Sequence, residues 1–381
     1  MPNWPDSRPR PSSRRCFRRP KHDAARMGDH PVLFIPGPTE VDDELRQIMA
    51  MPLLGHRDPK FVATVADVCE KLRPLFLTAQ NAAFETCPGT ALMEAGIRNL
   101  VPRGARTLHL IGGAFGKRWH KISAACGRDA EAFEVELGRA HDPQALAERL
   151  RRGPTPAAVC ITHNETSTGV IQPLAELAAS VREHAPDAMV MVDVVTSLAG
   201  AELRFDDWRL DWAFAGTQKC LALPPGLGVY AVSDRALARA AEVEERGFLL
   251  DLVQAVPDTT KGKPTATPCV PLVYALQHQL DRIAAEGLEN RWRRHRELRA
   301  TSLRWAAERG FTPFVADEAA RSPTVSCIDA NGADVEALAR RAAAAGFKMD
   351  KGYGGLKGKA FRIGHMGDHD QARLETFLAA L

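Results

Sequence analysis

At 381 residues, with 45% hydrophobic and 25% charged side chains, the chain has the composition of a globular protein and room for two domains of ordinary size. That balance excludes a disordered chain, a collagen-like repeat and a disulfide scaffold, and no stretch approaches the roughly 20 apolar residues of a membrane span. The net charge of +3 is unevenly placed: residues 1–26 hold eight basic side chains against Asp6 and Asp23, so the remainder sums to −3 and has no cationic excess for collecting phosphate backbones.

Residues 1–30 form a basic tail rich in Pro, Arg and Ser whose apolar residues never recur with helix or strand period, so it is expected to be disordered. Met27 stands just before the first structured segment, which favours a gene-start artefact over a transit peptide or an RNA-binding arm. From about residue 84, short apolar runs alternate with helical patterns, the mark of an α/β domain around a largely parallel sheet. The strand candidates are TLHLIG (107–112), AAVCITH (157–163), AMVMVDV (188–194), DWAFAG (211–216) and LGVYAV (227–232). Helical patterns fill the intervals, as in PGTALMEAGIRNL, PQALAERLRR and LAELAASVREH.

After Pro271 one long helical region is expected to about residue 309, with the basic cluster RWRRHRELR read as a solvated face. Strand candidates PTVSCI and FRIGHM bracket a helix and a Gly/Lys-rich loop. The division that follows is a large domain over 31–274 and a smaller α/β domain over 275–381, with a small-molecule site between them. The eight cysteines are scattered without a Cys-x-x-Cys or paired histidines, so no metal site is expected and reduced thiols in a cytoplasmic protein are the reading.

Open α/β sheets bind ligands at the carboxyl ends of their strands, and three such ends carry reactive groups. VMVMVD ends in Asp193, DWAFAG runs into Thr217, Gln218 and Lys219, and AVCITH runs into NETSTG. Lys219 lies between an apolar strand and CLALPPGLG, where a solvated face is hard to build; withdrawal from water lowers an amine's pKa and suits it to imine formation. Pyridoxal-phosphate chemistry needs such an amine, a carboxylate that keeps the pyridine nitrogen protonated, a flat side chain over the ring and amide donors at a helix start. Asp193 is the candidate carboxylate, with a plain helix cap as its other reading. PGTALMEAG offers Gly89 and Thr90 as the phosphate site, though Pro-Gly-Thr is also common turn chemistry.

These residues resemble the class V aminotransferases of PLP fold type I. The resemblance runs from about residue 33 to 381 through FIPGPTEV, HRDPKF, PGTALMEA, GGAFGKRW, HNETSTGV, VDVVTSLAG, GTQKCLALPPGLG, EGLENRWRRHRE and FRIGHMGD. It implies a large domain with a mostly parallel seven-stranded sheet flanked by helices, plus a smaller C-terminal α/β domain. It implies that Lys219 is the Schiff-base lysine and catalytic acid/base, and that Gln218 contacts the phosphate. Phe115 falls where an aromatic stacks on the cofactor, Thr166 where a hydroxyl meets its phenolic oxygen, and Thr267 where a phosphate contact reaches across a homodimer. Arg362 matches the arginine that grips the substrate carboxylate; a guanidinium can bind both oxygens at once. Arg118 and Trp119 are read as structural. Pro88 stands where relatives carry a hydroxyl, Phe115 where some carry tryptophan, and the KPTA before Thr267 lacks an aromatic.

Gln218 before the lysine, and Cys327 inside a strand pattern, separate the chain from the similar cysteine desulfurases. The landmarks most resemble aminotransferases that move the amino group of alanine or serine to glyoxylate or pyruvate, with Gly37 admitting a small side chain and Arg57 near the substrate. Phosphoserine aminotransferase, which shares a His-Arg pair like His56-Arg57, is the alternative; a non-catalytic subunit of the same fold is a third reading.

Overall fold

A computed structural model describes residues 30–381, so the expected disordered tail lies outside the described residues apart from His30. Seven strands form the main sheet in the order Asn81–Glu85, Gly228–Val232, Trp212–Gly216, Met189–Asp193, Ala158–Thr162, Arg106–Ile111, Asp129–Glu134. Only Gly228–Val232 runs antiparallel to its neighbours, so the carboxyl ends of the other six share one edge. The five expected strands form within a residue or so of their apolar runs. Asn81–Glu85 and Asp129–Glu134 were not among them: the latter alternates acidic and small residues on an exposed edge and carries no continuous apolar signal.

The sheet strands are buried because helices flank them. Gly89–Leu100 turns Leu92, Met93, Ile97 and Leu100 into the main apolar cluster, and Gly96 lets that helix close on the sheet, since a Cβ there would meet Trp212 at 2.7 Å. A second cluster gathers Leu298, Trp305, Ile328, Phe361, Ile363 and Phe377 around the three-stranded sheet Thr312–Pro313, Val325–Asp329, Ala360–Gly364. Phe34 belongs to this cluster, because Val32–Phe34 pairs in parallel with Phe347–Met349.

The single helical region expected from 271 to 309 is two helices, Val270–Glu286 and Leu288–Glu308. Gly287, at φ +80, adopts a left-handed conformation that ends the first and admits the second. The solvated-face reading of RWRRHRELR is also corrected. Arg291 and His295 are buried: Arg291 bonds Glu286 at 2.7 Å, Asp368 at 2.8 Å and the Cys220 carbonyl at 2.7 Å. Charge alone hid this, because its partners lie up to 77 residues away. Among the described residues no helix is long and apolar enough to cross a membrane.

Candidate active site

A cavity of about 240 Å³ opens where the parallel strands end, and Gly89, Phe115, Thr166, Asp193, Gln218 and Lys219 all line it. Sequence distance is no guide to this gathering; strand order is. Each strand of the parallel set ends in a short connection, and the order of the sheet brings residues 89, 166, 193 and 219 to one opening.

Lys219 follows Trp212–Gly216 and is 8% exposed, its Nζ donating to the Pro36 carbonyl. Burial, helped by the positive charge of Arg362, lowers its pKa to about 8. Gly37 lines the same cavity. Its absent side chain makes room for the lysine: at φ +103, a Cβ on Gly37 would stand 2.5 Å from Lys219 Cδ and 2.7 Å from Nζ. Asp193 closes its strand with its side-chain Oδ1 accepting from the Val195 amide at 2.9 Å, and burial raises its pKa to about 7. It caps no regular helix. A buried carboxyl with a single amide partner, facing a cavity, suits a cationic ring nitrogen that would restore its charge.

The helix Gly89–Leu100 starts at the same opening, and its N-cap, Pro88, supplies no side-chain bond. First-turn amides at Gly89 and Thr90 therefore remain open to an anion, with the positive end of the helix behind them. Gly89 is tightly seated, a Cβ there meeting Val195 Cγ2 at 3.1 Å. Thr166 pairs its hydroxyl with that of Thr196 at 2.6 Å, and Thr196 also lines the cavity.

Phe115 forms one wall at the start of helix Ala114–Ala125, and its placement depends on a residue sequence reasoning passed over. Glu165, 1% exposed, accepts from the Phe115 amide at 3.0 Å, the Gly116 amide at 3.2 Å and the Ser167 amide at 3.1 Å. It caps the helix from 50 residues away, as a carboxylate at the positive helix end should. The available signal was Gly113, which offers no cap of its own. Arg118 was read as structural, yet it lines the cavity with Cζ 4.8 Å from the Phe115 ring. Trp119 is buried, its Nε1 donating to the Met93 carbonyl at 3.0 Å.

Arg362 lies behind Thr166, 4% exposed, with Nη1 donating to the Thr166 carbonyl at 2.7 Å. Its Nε and Nη2 engage both oxygens of Asp350, at 2.8 and 2.9 Å. Arg57 and Thr267 are exposed, and neither lines the cavity of its own chain. Cys327 is buried in Val325–Asp329, and burial pushes its thiol up to about 12, unfit for a nucleophile. No cluster of His, Cys, Asp and Glu suited to a metal occurs among the described residues. Amine, buried carboxyl, open helix start and aromatic wall together fit pyridoxal phosphate.

The chain matches the family model for aminotransferase class V over residues 114–355. It is 37% identical over 340 residues to an uncharacterized aminotransferase of Methanocaldococcus jannaschii, covering 88% of each chain. It is 31% identical over 352 residues to a serine–glyoxylate aminotransferase of Methylorubrum extorquens, covering 90% of this chain and 88% of the other. The solved alanine–glyoxylate aminotransferase of Nostoc sp. superposes with a TM-score of 0.87 at 29% identity, covering 92% of this chain and 94% of that one.

Proposed function

Because the chain belongs to the class V aminotransferases, enzymes that work with pyridoxal 5′-phosphate, we propose that it moves the amino group of alanine or serine to glyoxylate or pyruvate. One observation carries the reading: Lys219 and the buried Asp193 face the same cavity as the open start of helix Gly89–Leu100. Bound pyridoxal phosphate supplies an electrophilic carbon for the amino group and a ring that takes up electrons when the substrate Cα is deprotonated.

In this reading the chain's residues divide the remaining work. Lys219 Nζ would hold the cofactor and would take up and return the proton of the substrate Cα, a task suited to an amine with a pKa of about 8. Asp193 keeps the pyridine nitrogen protonated. The Gly89 and Thr90 amides and Gln218 hold the phosphate, Phe115 covers the ring, and Thr166 steadies the phenolic oxygen. Arg362 takes the substrate carboxylate through the edge that Asp350 leaves open.

The small-substrate preference is supported by relatives named for serine–glyoxylate and alanine–glyoxylate transfer. The test compares alanine/glyoxylate with phosphoserine/2-oxoglutarate on the cofactor-loaded enzyme. Faster turnover of the second pair overturns the assignment in favour of a phosphoserine aminotransferase.

A homodimer with shared sites completes the proposal. Thr267 and Arg57 are exposed away from their own cavity, free to serve a second copy, and Met51, Leu53 and Phe248 expose apolar surface. The division into 31–274 and 275–381 is kept within this reading, with Val32–Phe34 crossing onto the C-terminal part.

A further inference from the structure

Asp350 stands in a Gly/Lys-rich loop whose residue pattern points to no chemical role, yet it holds the guanidinium of Arg362 with both oxygens. Its own position is held by two further bonds. The Arg362 amide bonds its carbonyl at 3.2 Å, and the Gly352 amide bonds its Oδ1 at 2.8 Å. Gly352 itself has φ +88 and no room for a Cβ, which would stand 2.4 Å from the Leu356 carbonyl oxygen and 2.6 Å from that of Ala360. The turn that aims Asp350 therefore requires a glycine at this position.

A guanidinium carries five N–H donors on a planar frame. Asp350 takes Nε–H and one Nη2–H, and the Thr166 carbonyl takes one Nη1–H. One hydrogen remains on each terminal nitrogen. Thr166 lines the cavity and its carbonyl accepts from Arg362, which does not itself line it, while Tyr353 packs over the guanidinium at 5.4 Å and beside Phe115 at 6.1 Å. The free pair is thus a two-pronged donor of the kind a carboxylate binds, and rotation of the guanidinium is blocked on its other edge.

We propose that Asp350 is a positioning residue for substrate recognition: it locks the Arg362 side chain so that the unused terminal N–H pair is presented to the substrate α-carboxylate. The proposal rests on the reading of Arg362 as the carboxylate anchor. It goes further by assigning the specificity for α-carboxylates to a pair, and by placing half of that pair in the loop that follows Met349. Both the amino donor and the keto acceptor carry an α-carboxylate, so both half-reactions depend on the same lock. The amine chemistry at Lys219 does not.

The test uses the cofactor-loaded enzyme and three variants, Asp350→Ala, Asp350→Asn and Arg362→Lys. The readouts are KM and kcat for alanine and for glyoxylate, inhibition by propionate, and cofactor absorbance with thermal unfolding to monitor the fold. Asp350→Ala is expected to raise both KM values and the propionate inhibition constant on the order of tenfold, the usual size of one lost charge-assisted interaction, while kcat changes less than about threefold. Asp350→Asn keeps the shape and one acceptor, so its KM values fall between wild type and alanine; it also serves if Asp350→Ala does not fold. Unchanged or lowered KM values in a folded Asp350 variant, with Arg362→Lys raising them, overturn the proposal and leave the anchor reading standing. Unchanged KM values in Arg362→Lys overturn the anchor reading itself, and the proposal with it.

Discussion

Replacing Gly37 with alanine would place a methyl group where the reactive lysine now lies. Two costs follow from the geometry. A non-glycine residue forced to φ +103 is strained by about 1–2 kcal/mol, which lowers the stability of the whole chain by that amount. The new Cβ would also sit 2.5–2.7 Å from Cδ, Cε and Nζ of Lys219, and because these are the far atoms of a flexible side chain, the lysine moves and the backbone stays. The amine then loses its bond to the Pro36 carbonyl, a loss of about 1 kcal/mol. A displacement of about 1 Å at a reacting atom typically costs about 100-fold in rate, or about 2.7 kcal/mol in the barrier. Gly37→Ala is therefore expected to unfold slightly earlier in denaturant and to bind cofactor with an altered absorbance band. Its single-turnover transamination should fall by about two orders of magnitude. A folded Gly37→Ala enzyme with the wild-type band and rate would refute the claim that this glycine shapes the seat of Lys219.

Three further outcomes are expected. Removing the carboxyl in Asp193→Ala leaves the fold intact but lowers transamination by on the order of 1,000-fold and weakens cofactor retention, measured by kcat and by dialysis; retained activity would separate Asp193 from the ring nitrogen. Cofactor capture by cofactor-free protein should accelerate as pH rises through about 8, because only the unprotonated amine attacks and burial holds Lys219 near that value; a midpoint near 10.5, the value of an exposed lysine, would contradict the burial argument. Arg291→Ala removes a buried cation shared by the half-buried Glu286 and Asp368, which keep Arg294 and Arg282 as partners, and is expected to destabilise the chain by about 1–3 kcal/mol in denaturant unfolding; an unchanged stability would mean that Arg291 adds nothing to the network.

Much of the fold was written in local pattern. The apolar runs ending in Asp193, in Gly216 and before Asn164 are continuous because central parallel strands are covered on both faces, and continuity is what a linear reading detects. Asp129–Glu134 escaped for the opposite reason: an exposed edge strand need not be apolar. Lys219 stood out because a charged side chain between two apolar segments is hard to solvate, and the spacing of the surrounding motifs supplied its companions.

The sequence by itself thus determined the alternation of strands and helices, the reactive amine and carboxyl at strand ends, and the helix start able to receive an anion. Each of these is encoded within ten residues or so. Tertiary structure alone decided which distant groups meet. Glu165 caps the helix that carries Phe115, Arg291 reaches the carbonyl beside Lys219, Gly37 yields its space to the lysine, and Asp350 pins Arg362. These pairings depend on strand order and on the turn at Gly352. Hydrophobic periodicity records only how each segment faces the core, so it carries no trace of them.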